Sequence, residues 1–301
     1  MMAAFDLNTG LRGELLSEEP MTDHTSWRVG GPAQTMYKPA DIDDLAMFLS
    51  QLDADEPLLW VGLGSNLLVR DGGVRGTVVL TSGLLNKLSL ENATTVRAEA
   101  GVACNKVARF CAQHHLVGAE FLAGIPGTVG GALAMNAGAF GGETWTWVKQ
   151  VETLDRHGER RLRTPADYHV GYREVRGPQD EWFIAAHFAL HAGDGAAAQQ
   201  RIKGLLAERN RKQPTAQPSC GSVFRNPTGD YAARLIEACG LKGTCIGAAC
   251  VSEKHANFIV NIGGARAADI EALIAKIQHA VAQTHGVQLQ TEVHIVGDSA
   301  A

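Results

Sequence analysis

The chain of 301 residues suggests about two domains, or three small ones. Its 27 basic and 32 acidic residues give a net charge of −5, which argues against nucleic acid or an anionic membrane surface as the main partner. A hydrophobic fraction of 45% supports a sizeable core and excludes wholesale disorder, and no apolar run reaches the roughly 18 residues that a membrane-spanning helix needs.

The predicted elements begin with a helix over 41–52 capped by Asp41, followed by a buried strand over 58–61, strands over 77–81 and 94–98, and a helix soon after Gly101. Strands are predicted again at 151–154 and 182–190. An Ala-rich stretch then ends at Pro214 and Pro218, which indicates a domain boundary between 193 and 217.

The last third of the chain contains one clear helix and one alternating segment. Apolar residues from Ile270 to Val281 follow helical spacing, and Gly286 ends the helix. Residues 287–296 alternate apolar and polar side chains, which predicts a half-buried strand with Glu292 on its polar face. The six cysteines form no Cys-x-x-Cys pair, so we expect reduced, mostly buried thiols and no metal site.

Two glycine-rich loops are candidate anion-binding sites. Gly62-Leu63-Gly64-Ser65-Asn66 follows an apolar strand, and successive N–H groups in such a turn favour phosphate oxygens. An ordinary tight turn is the alternative for this loop, and close helix–strand packing is the alternative for the longer loop at 120–132. Two such loops together favour a large nucleotide cofactor, although neither matches the Rossmann or P-loop pattern.

Six segments in order, spanning about residues 22–297, carry a family resemblance. They are His24–Ala33, Gly62–Val69, Gly124–Gly131, Met135–Ala139, Gly221–Pro227 and Ser252–Phe258. Together they resemble the UDP-N-acetylenolpyruvoylglucosamine reductase (MurB) family, and the absence of an insertion after Pro227 resembles its shorter class, type II.

The resemblance implies an α+β fold of the vanillyl-alcohol-oxidase/PCMH type. It comprises FAD-binding subdomains at 1–82 and 83–212 and a substrate-binding α+β domain at 213–289, with a strand at 290–301 returning to the first subdomain. It also implies a cytoplasmic flavoprotein of peptidoglycan synthesis that binds FAD non-covalently and takes hydride from NADPH. The substrate would be a UDP-sugar enolpyruvate; the oligomeric state stays open, with a monomer among the alternatives.

Site residues follow from matches to the family motifs. The implied catalytic residues are Arg173 for the substrate carboxylate, Ser222 as proton donor and Glu292 beside Arg173. The implied substrate-binding residues are Tyr172, Arg225, Asn226 and His255. The implied cofactor-binding residues are Gly62, Gly64, Ser65, Asn66, Leu67, Gly124, Ile125, Pro126, Gly127, Thr128, Gly130, Gly131, Asn136 and Gly138.

The sequence departs from the family pattern at a few positions. Val175 stands where a serine is expected, Gln290-Thr291 where Glu-Pro is expected, and Cys220 where a smaller residue is usual. Two other functions remain open at this point: a flavoenzyme of the same fold that oxidises a sugar or hydroxy acid, and a non-catalytic nucleotide-binding protein. Fold likeness alone does not separate them, because function lies in the site.

Overall fold

The computed structural model describes residues 10–300. Contacts divide the chain into two compact units, each built from segments that are distant in sequence. Within the described residues, the first unit comprises 10–16, Thr35–Gly62 and Gly76–Leu205; the second comprises Ser17–Gln34, Leu63–Arg75 and 206–300.

Strands and helices within residues 10–300 are numbered in chain order. The strands are β1 (Glu14–Pro20), β2 (Pro32–Lys38), β3 (Leu58–Val61), β4 (Leu67–Val69), β5 (Val74–Leu80), β6 (Leu88–Leu90), β7 (Thr95–Glu99), β8 (Leu116–Val117), β9 (Gly138–Ala139), β10 (Gly142–Glu143), β11 (Val148–Asp155), β12 (Arg160–Arg163), β13 (His169–Gly171), β14 (Glu174–Arg176), β15 (Glu181–Ala189), β16 (His191–Ala192), β17 (Cys245–Ile246), β18 (Ala249–Val251), β19 (Ile259–Asn261) and β20 (His294–Val296). The α-helices are α1 (Ile42–Ser50), α2 (Cys104–Gln113), α3 (Val129–Ala134), α4 (Gly195–Lys212), α5 (Ala232–Ala238) and α6 (Ala267–His285). None of these helices has the length and apolar character needed to cross a membrane.

One four-stranded sheet has the order β1-β2-β5-β3, and helix α1 lies in the first unit. Strands β3 and β5 pair in parallel, so their carboxyl ends share one edge of the sheet. Helix α1 confirms the predicted cap, because the Asp41 carboxylate accepts a hydrogen bond from Asp44 N at 2.9 Å. Leu45, Phe48 and Leu49 are buried on its apolar face.

The other sheet of the first unit is antiparallel, in the order β12-β11-β15-β7-β6. It contains a partly buried charge network. His187 lies between Glu91 (Nδ1–Oε2, 2.7 Å) and Glu152 (Nε2–Oε1, 2.9 Å), and Arg97 binds Glu152 with two nitrogens. Burial acts to raise the pKa of Glu152, but the hydrogen bonds from Arg97 and His187 outweigh it and lower that pKa to about 2.

The second unit has a core of α5, α6 and the sheet β17-β18-β19. Helix α6 begins where the Asp71 carboxylate accepts hydrogen bonds from Ala267 N (2.8 Å) and Ala268 N (2.9 Å), and it ends at Gly286, whose φ is +67°. Strand β20 pairs in parallel with β4.

Two expectations from the sequence are wrong. The segment 287–296 is not one strand: only His294–Val296 is, although Leu289 and Val293 are buried as the alternation predicts. Cys245 and Cys250 face each other across the β17–β18 pair and form a disulfide, whereas reduced thiols were expected. The backbone register places these two cysteines opposite each other, which spacing along the chain did not reveal.

The three-domain division stays a prediction. In the division into two units, residues 63–75 group with the chain from Leu206 onwards. The pairing of β20 with β4 joins the C-terminal segment to residues within 1–82.

Candidate active site

Glycine residues border a buried hydroxyl in the first unit, at the end of β3. Gly62 follows β3 directly, and a Cβ atom there would lie 2.4 Å from Thr128 Oγ1. Gly131 borders the same hydroxyl, with an ideal Cβ 3.9 Å from Thr128 Oγ1. Glycine at position 62 therefore leaves room for the hydroxyl, which a side chain there would overlap.

The buried Thr128 hydroxyl has no partner in the part of the chain that the structure describes. Thr128 is 1% exposed, and Oγ1 has no hydrogen-bond partner among residues 10–300. A buried hydroxyl without a partner costs about 1–3 kcal/mol. Hydroxyl and backbone N–H groups both donate to phosphate oxygens, so the chemistry of this donor set fits a phosphate-bearing cofactor.

Other glycines of the same loop serve packing. A Cβ at Gly124 would lie 2.4 Å from the Phe140 ring, and one at Gly130 would lie 3.0 Å from the Ala100 Cβ. The loop is held by a hydrogen bond from Cys104 N to Gly127 O at 2.9 Å. The packing interpretation accounts for Gly124 and Gly130, while cofactor contact by the remaining loop residues, Ile125 and Pro126 among them, stays a prediction.

The rest of the first glycine loop belongs to the second unit. Gly64 has φ +58°, and a Cβ there would lie 2.1 Å from His24 O, so this position requires glycine. Asn66 Nδ2 donates to Glu292 O at 3.1 Å. Leu67 is buried. Ser65 is half-buried.

Arg173 occupies a strained turn in the first unit. Strands β13 and β14 are joined by Tyr172 and Arg173, and Gly171 pairs with Glu174 at the base of the turn. Arg173 has φ +56°, a conformation that favours glycine and costs a larger residue about 1–3 kcal/mol. Its Nη2 donates to Gly138 O at 3.3 Å, and its guanidinium carbon lies 5.6 Å from the centre of the Tyr172 ring.

Asn136 is buried beside this turn. It is 3% exposed, and its side-chain amide contacts three protein groups of the first unit. Nδ2 donates to Glu143 Oε2 at 3.0 Å and to Gly171 O at 3.1 Å, and Oδ1 accepts from Trp145 N at 3.2 Å. Both amide hydrogens are therefore engaged by the protein.

The second unit brings the segments of Ser222 and Glu292 together. Glu292 N donates to Val223 O at 2.8 Å, and Arg225 N donates to Gln290 O at 2.9 Å. Gly221, with φ +71°, has open space where a side chain would stand, and Ser222 itself is half-buried. A hydroxyl and a carboxylate therefore stand on two adjoining backbone segments.

Sequence reasoning gave no specific role to Asn257, which fixes the Ser222 segment. Its Oδ1 accepts from Phe224 N at 2.9 Å, its Nδ2 donates to Phe224 O at 2.8 Å, and its backbone O accepts from Val223 N at 2.9 Å. The signal was present, because Asn257 lies within one of the family motifs. The sequence did not show that Phe224 and Val223 are its hydrogen-bond partners.

The predicted substrate residues of the second unit have different surroundings. His255 has a buried Nδ1 with no hydrogen-bond partner among residues 10–300, and burial lowers its pKa, which favours a neutral ring. Asn226 Oδ1 accepts from Ala232 N at the start of α5 (3.1 Å), so this side chain serves the helix. Arg225 is half-buried.

The sequence matches two family descriptions in succession. Residues 33–162 match the FAD binding domain, and residues 213–296 match the C-terminal domain of UDP-N-acetylenolpyruvoylglucosamine reductase. The implied α+β, FAD-binding fold is confirmed.

Relatives similar to the whole chain carry the same name. The UDP-N-acetylenolpyruvoylglucosamine reductase of Alkalilimnicola ehrlichii is 63% identical over 95% of this chain and 96% of its own. That of Methylococcus capsulatus is 61% identical over 96% and 95%. The solved structure of the Thermus caldophilus enzyme is 31% identical, with a TM-score of 0.82 over 95% of this chain and 99% of that one. The chain therefore belongs to the UDP-N-acetylenolpyruvoylglucosamine reductase family.

Proposed function

We propose that the protein reduces UDP-N-acetylglucosamine enolpyruvate to UDP-N-acetylmuramate, a peptidoglycan precursor, in the cytoplasm. FAD is the bound cofactor in this proposal, and NADPH is the hydride donor. The names of the full-length relatives and the match to an FAD binding domain support it.

The first unit would hold the cofactor at the glycine-bordered hydroxyl. FAD, when bound, accepts hydride from NADPH and delivers it to the enolpyruvyl double bond. Thr128 Oγ1 would donate its hydrogen bond to a pyrophosphate oxygen, which removes the cost of a buried hydroxyl without a partner. Gly62 and Gly131 would let that oxygen approach the backbone.

The protein must then stabilise charge on the substrate and supply one proton. Hydride on the β-carbon leaves negative charge on the α-carbon and the carboxylate. The Arg173 guanidinium would bind the carboxylate and stabilise that charge more strongly than it stabilises the starting acid. The Ser222 hydroxyl would give the proton to the α-carbon, and Glu292 would act at the carboxylate end of the substrate.

The observation that carries this assignment is the pairing of Val223 with Glu292 at 2.8 Å. It sets Ser222 and Glu292 on adjoining segments although 70 residues separate them in sequence. Asn257 fixes the Ser222 segment through three hydrogen bonds, so the hydroxyl has a defined place. His255, Arg225 and Tyr172 complete the proposed substrate contacts.

The test separates the two half-reactions. In Ser222→Ala, NADPH should bleach the flavin at the wild-type rate, because this step needs no proton from Ser222, while reoxidation by the enolpyruvyl substrate should nearly stop. Ser219→Ala, a half-buried serine three residues earlier, is the control and should behave as wild type. Normal single-turnover reoxidation in Ser222→Ala would refute the role of Ser222.

A further inference from the structure

Asn136 lies between two hairpins of the first unit. It follows α3 and adopts φ +41°, a left-handed conformation that asparagine tolerates better than most residues. Hairpin β9–β10 pairs Gly138 with Glu143, and hairpin β13–β14 pairs Gly171 with Glu174. The Asn136 amide contacts both hairpins, through Glu143 Oε2 and Gly171 O.

A second hydrogen bond runs the opposite way, from the β13–β14 hairpin to a carbonyl oxygen of the β9–β10 hairpin. Arg173 Nη2 donates to Gly138 O at 3.3 Å, while Asn136 Nδ2 donates to Gly171 O at 3.1 Å. Since Gly138 pairs with Glu143, the contacts close into a ring that runs from Asn136 through Glu143, Gly138, Arg173 and Gly171 back to Asn136. Displacing one hairpin would therefore strain both cross-hairpin contacts.

The turn that carries Arg173 needs such support. Strands β13 and β14 form only three residue pairs, and a two-stranded hairpin is at best marginally stable by itself. Arg173 adds the strain of φ +56°. Contacts from outside the hairpin must hold this conformation.

The geometry points to Asn136 as the positioning residue for Arg173, an inference that rests on the proposed role of Arg173 at the substrate carboxylate. Asn136 acts through the Gly171 carbonyl rather than by donating to the cofactor, because both of its amide hydrogens are engaged by protein groups. This role differs from the cofactor contact that the family resemblance implies for the same residue.

Asn136→Asp tests the donors selectively. Aspartate keeps the shape and the oxygen that accepts from Trp145 N, but it loses both hydrogens and faces the Glu143 carboxylate. A displacement of about 1 Å in a positioning group can cost about 100-fold in rate. We expect single-turnover reoxidation of the FAD-loaded variant by the enolpyruvyl substrate to slow by about 10- to 100-fold, with bleaching by NADPH unchanged.

Three further measurements separate positioning from general damage. Amide hydrogen exchange in residues 168–177 should be faster in Asn136→Asp without any substrate. In Asn136→Asp/Glu143→Gln, the new amide can donate to Asp, so the melting temperature should recover while reoxidation stays slow, because the Gly171 contact is still missing. Asn86→Asp loses an exposed amide donor to Gly83 O and should behave as wild type.

A double-mutant cycle with Arg173→Lys decides the mechanism. Non-additive effects of the two substitutions on reoxidation support action through Arg173. Additive effects, or an Asn136→Asp variant that reoxidises normally but binds FAD more weakly, overturn the inference and leave the proposed function standing. Normal reoxidation in Arg173→Lys alone would refute the proposed role of Arg173 and the inference with it.

Discussion

Replacing Gly62 by alanine tests the glycine-bordered hydroxyl. The new Cβ would lie 2.4 Å from Thr128 Oγ1, whereas ordinary van der Waals contact begins at 3.4 Å. In the free protein either the Thr128 side chain or the residue 62 backbone must shift to relieve this overlap. The proposed FAD-bound form needs the Thr128 hydroxyl in its present position, so the overlap with the new Cβ weakens FAD binding. Overpacking of this kind costs about 1–3 kcal/mol, which corresponds to roughly 5- to 150-fold weaker binding of FAD.

The assay is a titration of the apoprotein with FAD, followed by the change in flavin fluorescence, with circular dichroism as the check on folding. Gly62→Ala/Thr128→Ala lacks both the clashing oxygen and the proposed donor, and leaves the residue 128 Cβ at 3.4 Å, so it should bind FAD about as weakly as Thr128→Ala alone. Gly204→Ala in α4, where the new Cβ would meet no atom outside the helix's own backbone within 4 Å, is the control with unchanged affinity. A folded Gly62→Ala that binds FAD as tightly as wild type would refute the reasoning.

The remaining predictions concern the carboxylates of Glu152 and Glu292. Glu152→Gln should lower the free energy of unfolding in urea by about 3 kcal/mol at pH 7, because a pKa lowered from 4.5 to about 2 is worth that amount. This contribution is present above pH 4.5 and is lost as the pH falls towards 2. The difference in the free energy of unfolding between wild type and Glu152→Gln should therefore shrink to about 2 kcal/mol at pH 3.5. A difference that does not change with pH would contradict this prediction. Exposed Glu159, paired with Arg161, is the control position, with a change below about 0.5 kcal/mol for Glu159→Gln. Glu292→Gln should slow reoxidation of the flavin by substrate without slowing its reduction by NADPH, and unchanged reoxidation would exclude Glu292 from the site.

Local signals in the sequence were sufficient for several elements. Helix α1 follows its predicted cap and apolar face, and α6 ends at Gly286, because caps and helical periodicity depend on neighbours within one or two turns. Strand β3 ends immediately before the first glycine loop, as the apolar run at 58–61 predicts. The family motifs by themselves also indicate Thr128 and Ser222 as candidate site residues.

The same local signals did not identify contacts between segments that are distant in sequence. Alternation over 287–296 described burial correctly at Leu289 and Val293, but it did not reveal that this backbone pairs with the Ser222 segment and forms strand only at its end. Spacing among cysteines did not reveal the Cys245–Cys250 pair, because the register of two strands brings them together.

The amino-acid sequence by itself determined the family, the glycine loops and the residue types that the chemistry needs, since each is written in short contiguous motifs. Only the tertiary structure decided how those residues are used. It gave Asn136 its partners on two hairpins, left Thr128 Oγ1 without one among residues 10–300, and held Arg173 at positive φ. The physical reason is that hydrogen-bond partners and backbone strain depend on which distant segments are in contact, and only the folded chain determines those contacts.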